Sequence, residues 1–331
     1  MNNFKKVGIS ALAGSLAMFS VNADIVLSGS SEMTYASNSG STGGASATTG
    51  NPFGMSHDIN ITGSGELDNG FTYSVNTNFA GQDMAADSSI LKIDMGDLGT
   101  LGFDQGSGAF GISTLENEVP TAYEEADHGV GTLGHGIDAV GNTNVIGYSN
   151  SVAGVGISLQ INPDISTQTL TEAGGTSGGG KTGSNWNMAV TMAVPEVDGL
   201  TLAAGYSETD NIGTATDNEE MTAAINYTMG AVSVGYQQSV VNNNGGSTGA
   251  EVTAYGIAFN VNENLSISYS INDNEKMNAS AAHVTEESKG YQAAYSMGSA
   301  SVRVAFNEAD NVGGVTAAKA ENTEISLSLA F

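Results

Sequence analysis

The stretch NWNMAVTMAV, residues 185–194, puts Trp186, Met188, Val190, Met192 and Val194 on one parity and Asn185, Asn187 and Thr191 on the other. Successive side chains leave a pleated strand on opposite sides, so this alternation makes one apolar and one polar face. The signature begins early, where Ile25, Leu27, Met33 and Tyr35 oppose Ser28, Ser30, Glu32 and Thr34. It closes the chain, where Ile325, Leu327, Leu329 and Phe331 alternate with Ser326 and Ser328. Sixteen such segments can be traced, near 25–35, 55–67, 71–79, 89–95, 100–105, 144–148, 154–161, 186–194, 200–206, 221–229, 232–236, 255–261, 265–271, 291–297, 302–306 and 325–331. None keeps helical spacing over a useful length, and the chain reads as all-β.

The connections decide which all-β architecture this is. Short turns such as LDNG at 67, MGDLG at 95 and PEVDG at 195 alternate with longer Gly/Ser/Asn/Asp-rich loops near 37–54, 81–88, 106–143, 162–183, 208–219, 241–250, 272–288 and 308–322. A soluble sandwich or solenoid has no reason to alternate short and long connections so regularly. A transmembrane antiparallel up-and-down β-barrel does: strands of ~10 residues, an apolar outer face, short turns on one side and long loops on the other. In lipid every backbone polar group needs a partner, so the sheet must close on itself. About sixteen strands leave a water-filled lumen, because diameter grows with strand number.

The chain starts MNNFKKVGISALAGSLAMFSVNAD, with Lys5 and Lys6 ahead of an apolar run from Val7 to Val21. That run is shorter than the ~20 residues a spanning helix needs. Its small-residue end predicts a signal peptide over 1–23 with cleavage before Asp24, and a barrel domain over 24–331. Beyond residue 23 stand six basic residues against 35 acidic ones, a net charge of −29. Such a chain repels nucleic acid and attracts cations. With no cysteine, neither a disulfide framework nor a thiolate metal site can form.

The signal peptide, the closing strand EISLSLAF ending in Phe331, and DMGDLGTLGFDQGSGAFG at 94–111 carry a resemblance. Over its whole length the chain resembles the Gram-negative general porins, most closely the alphaproteobacterial ones. The resemblance implies a homotrimer of sixteen-stranded barrels in the outer membrane. Each would be a water-filled channel for passive diffusion of small hydrophilic solutes and ions. The third long loop would fold into the lumen as a constriction. Phe331 would be the signal read by the outer-membrane barrel assembly machinery. Here that loop runs roughly from Gly106 to Thr143 and carries Glu116, Glu118, Glu124, Glu125, Asp127 and Asp138. Members of the family usually oppose such carboxylates with a basic cluster on the wall. This sequence departs from the pattern: only Lys92 and Arg303 have lumen-facing parity on expected strands, with Lys181, Lys276 and Lys319 in loops and Lys289 at a strand edge. A carboxylate-rich passage with few opposing cations favours cation flow. Alternative readings are a substrate-specific channel and a structural or adhesive surface barrel with little conductance.

Other motifs carry less. Gly175–Thr182 matches the phosphate-loop pattern, yet a period-two strand follows it where a helix is required, so no nucleotide partner is expected. His57, His128, His135 and His283 show no zinc spacing, and nothing singles out a nucleophile–base pair, so neither a metal centre nor an enzyme is expected. The chain reads as needing no cofactor. Its crowded acids suit weakly held Ca²⁺ or Mg²⁺, on outer loops or between subunits, although no segment has EF-hand spacing. Trp186 and the tyrosines read as lipid-facing or interfacial aromatics.

Overall fold

The computed structural model describes residues 24–40, 50–81, 83–130, 137, 143–165, 169–171, 174–176, 183–211, 217–243, 249–277 and 284–331. The signal peptide assigned to 1–23, and Asp138, Lys181, His135 and His283, lie outside these residues. The strands are β1 (Asp24–Gly40), β2 (Phe53–Glu66), β3 (Thr72–Ala80), β4 (Ala85–Asp94), β5 (Thr100–Gln105), β6 (Thr143–Val152), β7 (Val155–Asn162), β8 (Thr169–Thr171) and β9 (Gly174–Thr176). They continue with β10 (Gly183–Ala193), β11 (Leu200–Asn211), β12 (Asn218–Met229), β13 (Val232–Asn243), β14 (Gly249–Asn260), β15 (Leu265–Met277), β16 (Glu286–Met297), β17 (Ala300–Asp310) and β18 (Lys319–Ala330). Sixteen of them close one antiparallel barrel in which each strand pairs with its neighbours along the chain, while β8 and β9 form a separate two-stranded hairpin. The seam is β1 against β18, from Ser30 opposite Ala330 to Gly40 opposite Ala320. Phe331 extends it, exchanging backbone hydrogen bonds with Gly29 at 2.9 and 3.0 Å.

Local chemistry explains the short turns. At 67–71, Gly70 takes φ +83, a conformation glycine adopts without steric cost. Its N–H donates to Leu67 O at 2.8 Å, and Asn69 Oδ1 accepts from Phe71 N at 3.2 Å. The wall is inside out relative to a soluble protein. On β18 the outward Ile325 and Leu329 are 43% and 51% exposed, whereas the inward Ser326 is 0% exposed. Closure pairs the backbone along the wall, which is what allows an apolar outer face to sit in lipid. No helix among the described residues is long and apolar enough to cross a membrane.

Each of the sixteen alternating segments lies on or overlaps a barrel strand, but the strands reach further toward the long loops. Lys276 and Lys319, expected in loops, belong to β15 and β18, and Lys289 lies within β16. The expected loop 81–88 ends sooner, with β4 starting at Ala85. These strand ends are polar on both faces, so they lack the apolar alternation that marks the rest.

Candidate functional site: the loop inside the barrel

The segment after β5 folds inward and follows the inner wall. Its departure is fixed by Asp104, a fully buried carboxylate at a register shift between β5 and β6. Asp104 accepts hydrogen bonds from Ser107 N and Oγ, both at 2.8 Å, and from Ala109 N at 3.1 Å. Phe110, 1% exposed, lies over inward-facing Gly102 and Gly147. A Cβ on Gly102 would meet its ring at 2.5 Å, and one on Gly147 would overlap it more deeply. A short 3₁₀ turn, Gly111–Leu115, then buries Ile112 and Leu115 against Ala189, Ala203 and Ile137. Gly205 leaves the space that Ile112 fills, and Gly235 and Gly256 leave room for Val119 and Pro120.

Wall side chains hold the loop backbone in sequence around the barrel. Ser158 on β7 accepts from Gly111 N at 2.8 Å, and Asn187 on β10 from Ile112 N at 3.0 Å. Gln237 on β13 accepts from Glu118 N at 3.0 Å and donates to Leu115 O at 2.7 Å. Ser268 on β15 and Gln292 on β16 accept from Ala122 N and Tyr123 N at 2.8 and 3.1 Å. Asn307 on β17 donates to Glu125 O and His128 O at 3.2 and 2.9 Å. Backbone groups that would otherwise be orphaned inside the barrel are thus satisfied by Ser, Asn and Gln placed at the right heights.

The loop ends on a charged network. Arg303 pairs with Glu32 at 2.7 Å, donates to Ser326 Oγ at 3.0 Å and lies 4.4 Å from the centre of the Tyr123 ring. The Tyr123 hydroxyl donates to Glu324 at 2.5 Å, with Glu32 a further 3.2 Å partner. His128 Nε2 lies 3.1 Å from Glu324, and its Nδ1 lies 3.4 Å from Glu124. The Glu324 hydrogen bond and attraction to Glu124 push the His128 imidazole up to about 8 against the opposing effect of burial, leaving it cationic at neutral pH. Burial raises the Glu124 carboxyl, with His128 pulling it back, and burial alone raises Glu118. Tyr123 is pushed up by burial and then by Glu324, so its hydroxyl remains a donor.

A family model of the Gram-negative porins matches residues 9–328. The chain belongs to the Gram-negative porin family. The porin barrel is similar to that of OmpF from Salmonella typhi in complex with daunomycin, at TM-score 0.68 and 12% identity over 93% of this chain and 97% of that one. It is similar too to a porin refined at 1.8 Å resolution, at TM-score 0.64 and 14% identity over 93% and 100% of the two chains. An anion-selective porin from Comamonas acidovorans matches at TM-score 0.63 and 14% identity over 94% and 100%. No curated protein sequence matches significantly. The family match is to Gram-negative porins at large, not to the alphaproteobacterial ones in particular. Family and fold make this porin an outer-membrane channel, of a kind that is non-enzymatic.

The acidic residues singled out from the sequence do not share one environment. Glu116 is exposed on the loop, while Glu118 is half-buried with Asn226 Nδ2 at 3.5 Å. Glu125 accepts from Asn117 at 2.7 Å, Glu124 faces His128, and Asp127 lies in the same turn, where its carbonyl accepts from Val130 N at 3.0 Å. Of the two inward basic residues, Arg303 belongs to the network and Lys92 lies 5.6 Å from the Phe110 ring centre. The structure adds Glu32, His128 and Glu324, and it corrects Tyr123: expected with the other tyrosines to face lipid or the interface, it lies on the inner loop, where its hydroxyl meets Glu324 and its ring meets Arg303. Inward parity marked Glu32, but nothing in the sequence pairs His128 with a carboxylate nearly two hundred positions away. On the inner faces of β2 and β3, Asp58 accepts from Asn60 and Asn78 at 3.0 and 2.5 Å. A cavity of about 410 Å³ lined by Thr100, Thr114, Ser149, Ser158 and Thr191 gives the lumen a small-polar surface fit for water.

Proposed function

We propose that this porin is a cation-preferring pore for passive diffusion of small hydrophilic solutes, constricted by the loop segment around Glu116–Asp127. The observation that carries the reading is a carboxylate-rich loop docked inside the barrel, with Lys92 and Arg303 as basic residues on the inner wall. Arg303 is largely neutralised by Glu32, and His128 offsets part of the charge of Glu124 and Glu324. Glu116 and Glu125 then contribute negative potential in a narrow passage, where carboxylates attract cations and repel anions. Family kinship supports a homotrimer of such pores. Phe331, paired with Gly29 beside the seam, suits recognition by the assembly machinery.

Purified trimer reconstituted in planar bilayers should give stepwise, ohmic conductance in KCl. Liposomes carrying it should swell with small neutral sugars at rates that fall smoothly with solute size. Absence of conductance would overturn the channel reading in favour of a structural barrel. Block by one sugar at low concentration would replace general diffusion with a substrate-specific channel.

A further inference from the structure

We propose that Glu124, His128 and Glu324 form a binding site for a borderline divalent transition-metal ion, with Zn²⁺ as the representative. Their ligand atoms all lie within 4.8 Å of one another. An imidazole with two carboxylates is a donor set that zinc accepts, whereas Ca²⁺ and Mg²⁺ prefer oxygen alone. Coordination at ~2.0–2.2 Å requires the three groups to draw together. Glu124, whose side chain is 26% exposed, has the freedom to do so. The remaining coordination positions would face lumen water.

The site is built rather than accidental in three respects. Glu124 and His128 sit four positions apart, on and beside a turn closed by hydrogen bonds from His128 N to Glu125 O and from Val130 N to Asp127 O. That turn is tied to the wall by Asn307, which donates to two of its carbonyls. Glu324 comes from β18 and is oriented by the Tyr123 hydroxyl, the sort of outer partner that fixes a ligating carboxylate. The ion would be held by the imidazole and the two carboxylates together, and would join the inner loop directly to the wall. A divalent ion held there makes the passage more positive, whichever protonation state the imidazole starts from. Zinc binding should therefore lower K⁺ conductance at low ionic strength. The site does not depend on which ions the open pore prefers.

Isothermal titration of tag-free trimer with ZnCl₂ should give one saturable site per chain that excess CaCl₂ does not displace. Co²⁺ in its place should give visible absorption bands of a nitrogen- and oxygen-ligated ion. His128→Gln and Glu324→Gln, which remove ligands and not merely outer partners, should each weaken Zn²⁺ binding by at least ~10-fold and remove the conductance effect. Unchanged trimer migration on gels would show that both variants fold. Zinc binding that His128→Gln leaves intact, or that excess Ca²⁺ competes away, would assign the ion to the general acidic surface and overturn the proposal. So would wild-type trimer that takes up no zinc.

Discussion

Gly147→Ala tests how the inner loop is held. Gly147 lies in β6, and an alanine methyl there would come closer than 2.5 Å to Phe110 Cγ, where ordinary contact begins at 3.4 Å. The overlap is at the root of the side chain, so a rotation of the ring tip cannot relieve it. Gly102 closes the other side, and Phe110 is 1% exposed, so the ring has no neighbouring space to enter. Overpacking of this kind costs ~1–3 kcal/mol. Set against loop docking, that shifts the docked-to-undocked ratio by roughly 5- to 150-fold. Single-channel recordings of the variant should show larger or flickering conductance, and protease should cut within 106–130 faster than in wild type. Gly63→Ala is the matched control, because a methyl there meets nothing within 4 Å. The double variant Gly147→Ala with Phe110→Ala should show strong non-additivity, as expected for two residues in contact. If Gly147→Ala behaves like Gly63→Ala in both assays, Phe110 is not the anchor and the docking argument fails.

Arg303→Ala removes the Glu32 ion pair and the stacking on Tyr123, and should cost ~1–3 kcal/mol in barrel stability while making the pore more cation-selective. Thermal unfolding and zero-current potentials read the two effects, and a shift toward anions would contradict the assignment. Glu118 is held above the usual glutamate range by burial, so as pH falls it takes up a proton before an ordinary glutamate does. Cation preference should therefore start to decline above the ordinary glutamate range, and Glu118→Gln should shrink that early portion of the curve, the remainder coming from Glu124, which burial raises as well. On the outer face, Glu208 stands opposite Glu219, Asp273 opposite Glu287, and Glu308 opposite Glu321. Like charges directly opposed cost ~0.2–1 kcal/mol per pair. Mg²⁺ or Ca²⁺ should raise the melting temperature and chelation should lower it, an expectation that identical melting in both would refute.

The barrel was legible because lipid outside and water inside impose strict alternation, as in Trp186, Met188, Val190 and Met192 against Asn185 and Asn187. Alternation fades once a strand rises past the membrane, since both faces then meet polar surroundings. The end of β15, Asn272–Met277, therefore reads as loop until its pairing with β14 is seen. The acidic loop was legible as a composition, but its course was not. That course depends on which inward positions lack a side chain, and Gly102, Gly147, Gly205, Gly235 and Gly256 are lost among 45 glycines. The meeting of His128 with Glu324 was equally hidden, because sequence separation says nothing about which strand a loop will reach.

The central claim is that the inner-loop carboxylates set the ion preference of an open pore. Its most direct test is the zero-current potential of the reconstituted porin across a KCl gradient, for wild type and for Glu116→Gln with Glu125→Gln. Wild type should show K⁺ preference, and the double variant a clearly reduced one at unchanged barrel folding. A Cl⁻-preferring wild type, or a potential that the two substitutions leave unmoved, would contradict the account.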